Sequence, residues 1–446
     1  MLPDIFNVIN KARYSGIIAG PKTASSLYQL SVKVFVKELN RKGKLEMRIP
    51  ELYHLPAVAL ISVLGEMSCY TSLRKILHRE LSDPVLFMRM FTDYKADRLA
   101  LENCLRKASL IGKPVLPDLA KNWCKSMIEN QVLENSSQVF DKIMESFKLG
   151  NYLHEAGWSL QSAEVLGVAS RMISQLKESE HRVALEVTCV QKILRAEGSA
   201  LLREKADKTS NILLTMAKGI TDSEIQLQVY LEMANHNFKA KRVDESHRWT
   251  KKAMELMTES TPIEFVIEIL QLEALYLFVS EQYEAGSFII NQAIHRARTT
   301  YGHLHRRYAD TLYTCGVCLL KTNAISAAIP ILLELLVIIT KLYGNYTPHV
   351  SMIQSYLAYG FYRRSQTTGR FDMAYEHIQN AITLAKQIMP ERQKVIDHFI
   401  NIRAMIMKGR DNVLAAVEEN RAARIGDCEM FTVDEIKQRC LELHGD

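Results

Sequence analysis

The sequence predicts an all-α protein, a solenoid of stacked antiparallel helix pairs entered from an N-terminal helical region. Two observations predict it. The stretch Tyr301-Gly-His-Leu-His-Arg-Arg-Tyr308 opens a helical pair and starts again as Tyr343-Gly-Asn-Tyr-Thr-Pro-His349 before a second pair. Within each pair small residues fall where two helices must touch, Gly316 with Ala328 and Ala358 with Ala374, because backbones approach to about 8–10 Å only over small side chains. The same register also runs backwards. The small residue of the second helix recurs at Ser162, Ser246, Gly286, Ala328 and Ala374, in steps of 84, 40, 42 and 46. The doubled step places a degenerate repeat at Ala206. One pair cannot bury its apolar faces alone, so this spacing signals a stacked array over 151–386. The period is that of a tetratricopeptide-like repeat stretched to about 42 residues from the usual ~34, so longer helices or turns are expected.

In order along the chain, Asp4 caps a short helix whose apolar positions Ile5, Val8, Ile9 and Ala12 follow the helical period. Gly16, Gly20 and Pro21 break it. A second helix starts at Ser25-Ser26, with Leu27, Leu30, Val34 and Leu39 expected on one buried face, and ends by Lys42-Gly43. Further helices are expected over 56–67, 72–81 and 84–108. Ile111-Gly-Lys-Pro-Val-Leu-Pro-Asp118 reads as a hinge, and 118–147 as a connecting helix. The first repeat, Leu149-Gly150…Trp158…Ala169, uses Trp158 to plug the space between neighbouring pairs. In the last pair, Ser365 to Arg370 reads as a lengthened loop. Beyond Pro390, helices over 395–407 and 411–424 precede a capping box, Thr432-Val-Asp-Glu435, and a last helix through Leu443. The organisation is thus 1–110 N-terminal helices, 111–147 hinge and connecting helix, 148–390 repeat array and 391–446 capping helices.

Composition narrows the function classes. The chain has 446 residues, 48% hydrophobic and 24% charged, an ordinary soluble balance. The longest apolar run, Ile329 to Thr340, is interrupted by Pro330 and Glu334 and falls short of the ~18 residues of a membrane span, so no membrane insertion is expected. No basic region followed by an apolar core opens the chain. Eight cysteines without framework spacing fit reduced thiols inside a cell. A net charge of +6 without a clustered basic face gives no argument for nucleic acid. Cys315-Gly-Val-Cys318 has metal-like spacing, but both cysteines fall in one helix beside Gly316 with no second ligand pair, so they read as structural thiols without metal or cofactor. Phosphate loops, HExxH and GxSxG are missing. The reading is a non-enzymatic binding protein.

An array offers a concave groove lined by the first helix of each pair. Groove positions are expected one and four past the small residue and three before it. This selects Asn235 and Phe238, Leu275 and Phe278, Val317 and Leu320, and Tyr359 and Tyr362, with Lys239 and Arg363 following directly. Asn and basic groups there can grip a peptide carboxylate through charge-assisted bonds.

The order of motifs is similar to one family. Tyr308-Ala-Asp-Thr-Leu…Leu319-Leu320, Leu357-Ala-Tyr…Thr368-Gly-Arg-Phe-Asp372…Ala381-Ile, Ile388-Met-Pro-Glu391 and Glu155-Ala-Gly-Trp158 resemble the amyloid protein-binding protein 2 family over about residues 148–404. That family supplies tetratricopeptide-repeat substrate receptors of cullin-2 RING ubiquitin ligases, reading C-terminal degrons that contain arginine and glycine. It is also linked to microtubules and to transport of the amyloid precursor protein. The resemblance implies elongin B/C and cullin-2 as partners, substrate C-terminal peptides in the groove, and a cytoplasmic, nuclear and cytoskeleton-associated location. It places Ile5 and Ile9 at the elongin-docking positions and Leu27 at the cullin-selecting box. Arg13 stands where a further apolar residue belongs, and Tyr28 where that box has proline. Tyr359 and Tyr362 would stack on the degron arginine, with Asn235, Lys239 or Arg363 taking the carboxylate. Five recognisable repeats, against several more in the family, make a relative shortened at its C-terminus the expectation. The alternative is a cargo or scaffold adaptor resembling kinesin light chain, which shares the period and the Tyr-Gly…Pro-His turn and links membrane-protein tails to microtubule transport. Residues 1–110 show no sustained heptad of the kind motor adaptors carry there, which favours the first reading.

Overall fold

The structure, a computed structural model, describes residues 27–42, 49–91, 95–129, 136–177, 179–426 and 432–444. Among these residues lie twenty α-helices and no strand. The expected helix at Asp4 to Ala12, with Ile5 and Ile9, lies outside them.

The N-terminal region contains α1 (Leu27–Lys42), α2 (Ala57–Met67), α3 (Arg74–Leu81), α4 (Pro84–Met90), α5 (Lys95–Ala108) and α6 (Val115–Glu129). Three features correct the sequence reading. Helix α1 buries Val36 and Leu39 against α2, while Leu27, Leu30 and Val34 face solvent, Leu27 at 82% exposure. The stripe that meets the core is Val32–Phe35–Val36–Leu39, and the one expected there runs beside it. The span 84–108 divides between α4 and α5. The hinge is a single 3₁₀ turn ending at Gly112, whose φ is +85°. Pro117 falls inside the first turn of α6, where its missing N–H costs nothing.

Six antiparallel pairs follow. They are α7 (Ser136–Glu155) with α8 (Ser159–Ser174), α9 (Glu180–Ser199) with α10 (Arg203–Ala217), and α11 (Ser223–Lys239) with α12 (Val243–Glu255). Next come α13 (Ile263–Val279) with α14 (Tyr283–Tyr301), α15 (Arg306–Lys321) with α16 (Ile325–Tyr343), and α17 (Pro348–Thr368) with α18 (Asp372–Ile388). All six small residues, Ser162, Ala206, Ser246, Gly286, Ala328 and Ala374, are buried at the crossings. Two crossings are close enough for a hydroxyl to reach the facing backbone: Ser162 Oγ donates to the Gly150 carbonyl at 2.7 Å and Ser246 Oγ to Ala234 at 2.8 Å.

The turn within each pair is short, so of the longer helices or turns expected, the turns are not the part that lengthens. In five pairs a left-handed residue stands seven past the first crossing residue: Gly157, Leu201, Lys241, Glu281 and Asn323. The next N–H returns to the carbonyl five residues back, as in Trp158 to Leu153 at 2.8 Å and Ala324 to Leu319 at 2.9 Å, which satisfies the carbonyls that a helix end leaves open. The last pair keeps a left-handed residue, at Gly369, and Ser365 to Thr368 extend α17 by a turn instead of lengthening the loop. The stretched period therefore resides in helices of 13 to 21 residues.

Helix α16 is the one described helix long and apolar enough to cross a membrane. Here it is the second helix of the fifth pair, burying Leu332, Leu335, Ile338 and Leu342 against α15, α17 and α5. Beyond the pairs, one helix, α19 (Gln393–Gly426), replaces the two expected over 395–407 and 411–424. Helix α20 (Val433–His444) opens with the expected capping box. The Thr432 N–H donates to Glu435 Oε2 at 2.7 Å, and the Glu435 N–H returns to Thr432 Oγ1.

The stack curves until its end meets its beginning. Arg306, opening α15, donates to the Glu155 carbonyl at the end of α7. The His349 ring packs on Gly157, where a Cβ would come within 2.8 Å of it. Arg392 donates to the Ala200 carbonyl in the second pair's turn at 2.8 Å. The N-terminal helices fill the junction. The Arg98 guanidinium lies 4.2 and 4.3 Å over the Phe91 and Tyr152 rings and pairs with Glu102 and Glu155. Gln387 donates to the Gly112 carbonyl. One apolar core accordingly runs from Val36 through Trp123 and Trp158 to Phe399. Trp158 is buried in it and plugs this junction.

Candidate functional site: the inner face of the array

First helices pack on one another around the inside of the curve, α9 on α11, α11 on α13 and α13 on α15. Their inward residues come from four columns of the repeat. Six and two residues before the crossing lie Glu268 and Asp310, and Lys192 and Glu232. One past it lie Arg195, Asn235 and Tyr359, and five past it Lys239, Lys321 and Arg363. Phe278 and Leu320, four past the crossing, are buried between helices and do not line the groove. Side chains standing between the two helices of a pair cannot also face the inside.

The centre is an ion-pair ladder that crosses four pairs. Arg195 on α9 pairs with Glu232 on α11 and, at 2.8 Å, with Glu268 on α13. Arg307 at the start of α15 lies 4.0 Å from Glu268, and the Asn235 amide also donates to Glu268. Burial would raise the Glu268 carboxyl, but two guanidiniums and the Asn235 amide hold it below the usual range. Burial dominates at Glu232 and pushes it up despite Arg195. Each carboxylate has an Oε2 without a hydrogen bond, so the ladder retains acceptor capacity.

Cations gather around it. Lys239 keeps contact with solvent and donates to Ser199 Oγ at 2.8 Å, yet desolvation by the surrounding walls lowers its pKa. His154 is held well below its ordinary value by burial and then by the charges of Lys239, Arg195, Arg306 and His349. These groups therefore lie close enough to act on the His154 ring electrostatically. Along its edge Lys321 approaches the Phe238 ring at 5.8 Å and Arg363 donates to Asn323 Oδ1 at 3.0 Å. Tyr313, 37% exposed, bonds through its hydroxyl to Tyr356 at 3.1 Å.

The residues selected from sequence fall in four places. Asn235 and Lys239 stand together on α11 within the charged space. Tyr359 and Arg363 stand together on α17, the Arg363 guanidinium donating to the Tyr359 hydroxyl at 3.4 Å. Tyr362 is taken by α19, its ring against Gly409 and 6.3 Å from Phe371. Leu27 is exposed on α1. Sequence reasoning missed Arg195, Glu232, Glu268, Arg306 and His349. Arg195 was reachable, because it sits one past Leu194, the position twelve before Ala206. Cys315 and Cys318 are buried inside α15, and burial pushes their thiols up to about 11 and about 12, which fits structural thiols.

Stacked pairs with a charged inner face and an exposed apolar N-terminal face define a helical-repeat adaptor that works by binding other proteins. No family model matches the chain. It resembles amyloid protein-binding protein 2 of Rattus norvegicus and of Mus musculus, 24% identical to each over 315 residues, 70% of this chain and 53% of theirs. The chain spans about half the length of the curated relatives it matches. Among solved structures it is similar to the Rap conjugation gene regulator of plasmid pLS20 in complex with the Phr* peptide. That likeness is 12% identical with a TM-score of 0.45, covering 83% of this chain and 98% of that one. It is also similar to BtubC (BKLC) from P. vanneervenii, 17% identical with a TM-score of 0.37, covering 52% of this chain and 89% of that one.

Proposed function

We propose that this chain is a non-catalytic substrate-recognition subunit of a cullin-2 RING ubiquitin ligase, holding C-terminal degron peptides on the inner face of its repeats. It would act in cytoplasm and nucleus and associate with the cytoskeleton, as the resemblance to amyloid protein-binding protein 2 implies. The observation that carries the reading is the apolar face of α1. Leu27, Leu30 and Val34 stand in solvent at the end of the chain where the resemblance puts elongin and cullin docking. Exposed apolar stripes of this kind mark protein contacts, and a few such anchors carry most of an interface. On the inner face a peptide carboxylate would meet Lys239 or Arg363 through charge-assisted bonds, and a guanidinium would meet Tyr359. Tyr362, occupied by α19, drops out of that set.

The test is capture of elongin B/C and cullin-2 by wild type and by Leu27→Asp with Val34→Asp. Alongside it, a labelled peptide ending near arginine and glycine is titrated into Lys239→Glu, Arg363→Glu and the convex-face Lys252→Glu. Capture should be lost only in the α1 variant, peptide binding only in the inner-face variants, and added salt should weaken the peptide. A wild type that binds peptide without capturing elongin or cullin moves the protein to the cargo-adaptor class, with membrane-protein tails and microtubule transport as its business. Equal losses from Lys252→Glu would leave only net charge as the cause and sink the inner-face assignment.

A further inference from the structure

Six pairs do not exhaust the register. From Ala374 a step of 42 reaches Ala416, and twelve before Ala416, the separation found in the first five pairs, stands Ala404. Seven past Ala404, where five pairs place their left-handed turn residue, stands Asp411, between Gly409 and Asn412. These are the residue types that turns favour. Residues 393–426 thus carry the pattern of a seventh pair.

The structure draws that pattern out as one continuous helix. The first half of α19 occupies the place of a seventh first helix, burying Ile396, Phe399 and Ile406 against α17 and α18. The second half leaves the array, with Leu414 54% and Val417 57% exposed and every residue from 414 to 419 in solvent. Among the described residues, none fills the seat that a seventh second helix would take. It is an open groove of about 390 Å³ between α18 and α19, walled by Phe371, Tyr375, Gln379, Ile406 and Met407.

We propose that a second copy of this chain fills the seat. Two chains exchange the second halves of α19, whose helices run antiparallel about a twofold axis at the middle of the 34-residue helix, Gly409–Arg410. Residues 414–426 of each then lie in the groove of the other. The continuous helix decides for exchange over folding back, because it carries the second half away from its own groove and toward a neighbour's. Exchange of one identical element is self-complementary under a twofold axis and recreates between chains the contact a closed pair makes within one. The partner's Leu414 and Val417 then enter the groove beside Tyr375 and Met407, 41% and 38% exposed. The Arg410–Asp411 pairs, 3.2 Å within each chain, meet at the axis so that each guanidinium gains a second carboxylate. This inference stands apart from the function proposed above.

The full chain should show twice its 50.9 kDa mass by light scattering at micromolar concentration. Leu414→Asp with Val417→Asp should return it to the single mass with unchanged helical signal. In a Tyr375→Cys, Val417→Cys variant, a short bismaleimide should join the 375 and 417 peptides in a covalent dimer of doubled mass on a denaturing gel. A wild type of single mass, or the same link formed within one chain, overturns the exchange. So does a doubled mass that survives the Leu414→Asp, Val417→Asp change, because the copies would then meet elsewhere.

Discussion

Replacing glycine by alanine should have opposite signs at two helical positions of this array. Gly316 and Gly167 both lie inside helices, where alanine is intrinsically favoured by about 1 kcal/mol. At Gly167 nothing stands within 4 Å of an added Cβ, so Gly167→Ala should stabilise by roughly 0.5–1 kcal/mol. At Gly316 the Cβ would come to 2.8 Å from Leu332 Cδ2 and 3.0 Å from its Cγ, and Leu332 is fully buried. It has nowhere to retreat. Overpacking of this kind costs about 1–3 kcal/mol. Because the obstruction reaches Cγ and not only the tip of a side chain, the upper half of that range should outweigh the helix gain and leave a net loss of roughly 1–2 kcal/mol. Leu332→Ala alone should cost about 2–5 kcal/mol by opening a cavity. Combined with Gly316→Ala, the new methyl enters that space, so the double variant should be more stable than the sum of the single changes by about 1–2 kcal/mol. Urea midpoints for the four proteins and Gly167→Ala supply the data. Additivity of the two changes at 316 and 332, or a stabilising Gly316→Ala, would refute the assigned crossing.

Three further outcomes follow from single residues. Lys241 holds a left-handed turn at φ +65°, so Lys241→Gly should stabilise by a net ~0.5–1 kcal/mol after the unfolded chain's added freedom is counted, read as a raised thermal midpoint. A lowered midpoint would show that its side chain matters more than its backbone. Burial pushes the Glu102 carboxyl up to about 7, with Arg98 opposing, so folding favours its protonated form. That contribution is full below about pH 4.5 and lost as pH rises through 7, so Glu102→Gln should flatten the interval and be the more stable protein at pH 8. Parallel pH profiles would contradict this. Arg195→Met leaves Glu232 and Glu268 facing each other inside the array and should cost about 3–5 kcal/mol in urea denaturation. A loss below 1 kcal/mol would mean water takes the guanidinium's place.

The pairs were legible in the sequence because a crossing demands a small residue whatever surrounds it, and Ser162, Ala206, Ser246, Gly286, Ala328 and Ala374 meet that demand locally. The exposed face of α1 was not legible. Leu27, Leu30 and Val34 repeat as a core stripe would, and only the placement of α2 shows which of two adjacent stripes it covers. The inner face was half legible. Asn235, Lys239, Tyr359 and Arg363 follow from the crossing register, but Glu232, Glu268 and Arg195 occupy three different columns and meet only because the stack curves. The same curvature brings His349 to Gly157, a contact between residues that share no local pattern. At 393–426 the register predicts a turn, whereas the run of helix-forming residues through Ala415 and Ala416 sustains one continuous helix.

The meeting of the array's two ends changes how the molecule should come apart. In an open solenoid each repeat touches only its neighbours, so terminal pairs fray independently and folding can start anywhere. Here Arg306 holds Glu155 across 151 residues of sequence and Arg392 holds Ala200 across 192, while the N-terminal helices are shared between the first pair and the last. Closing such distant contacts is slow and comes after the pairs themselves have formed. Once made, they bind the fraying ends to each other. Hydrogen exchange should therefore find the first and sixth pairs as protected as the middle ones, opening together in a single event, and the inner face should exist as a binding surface only after that last contact has closed.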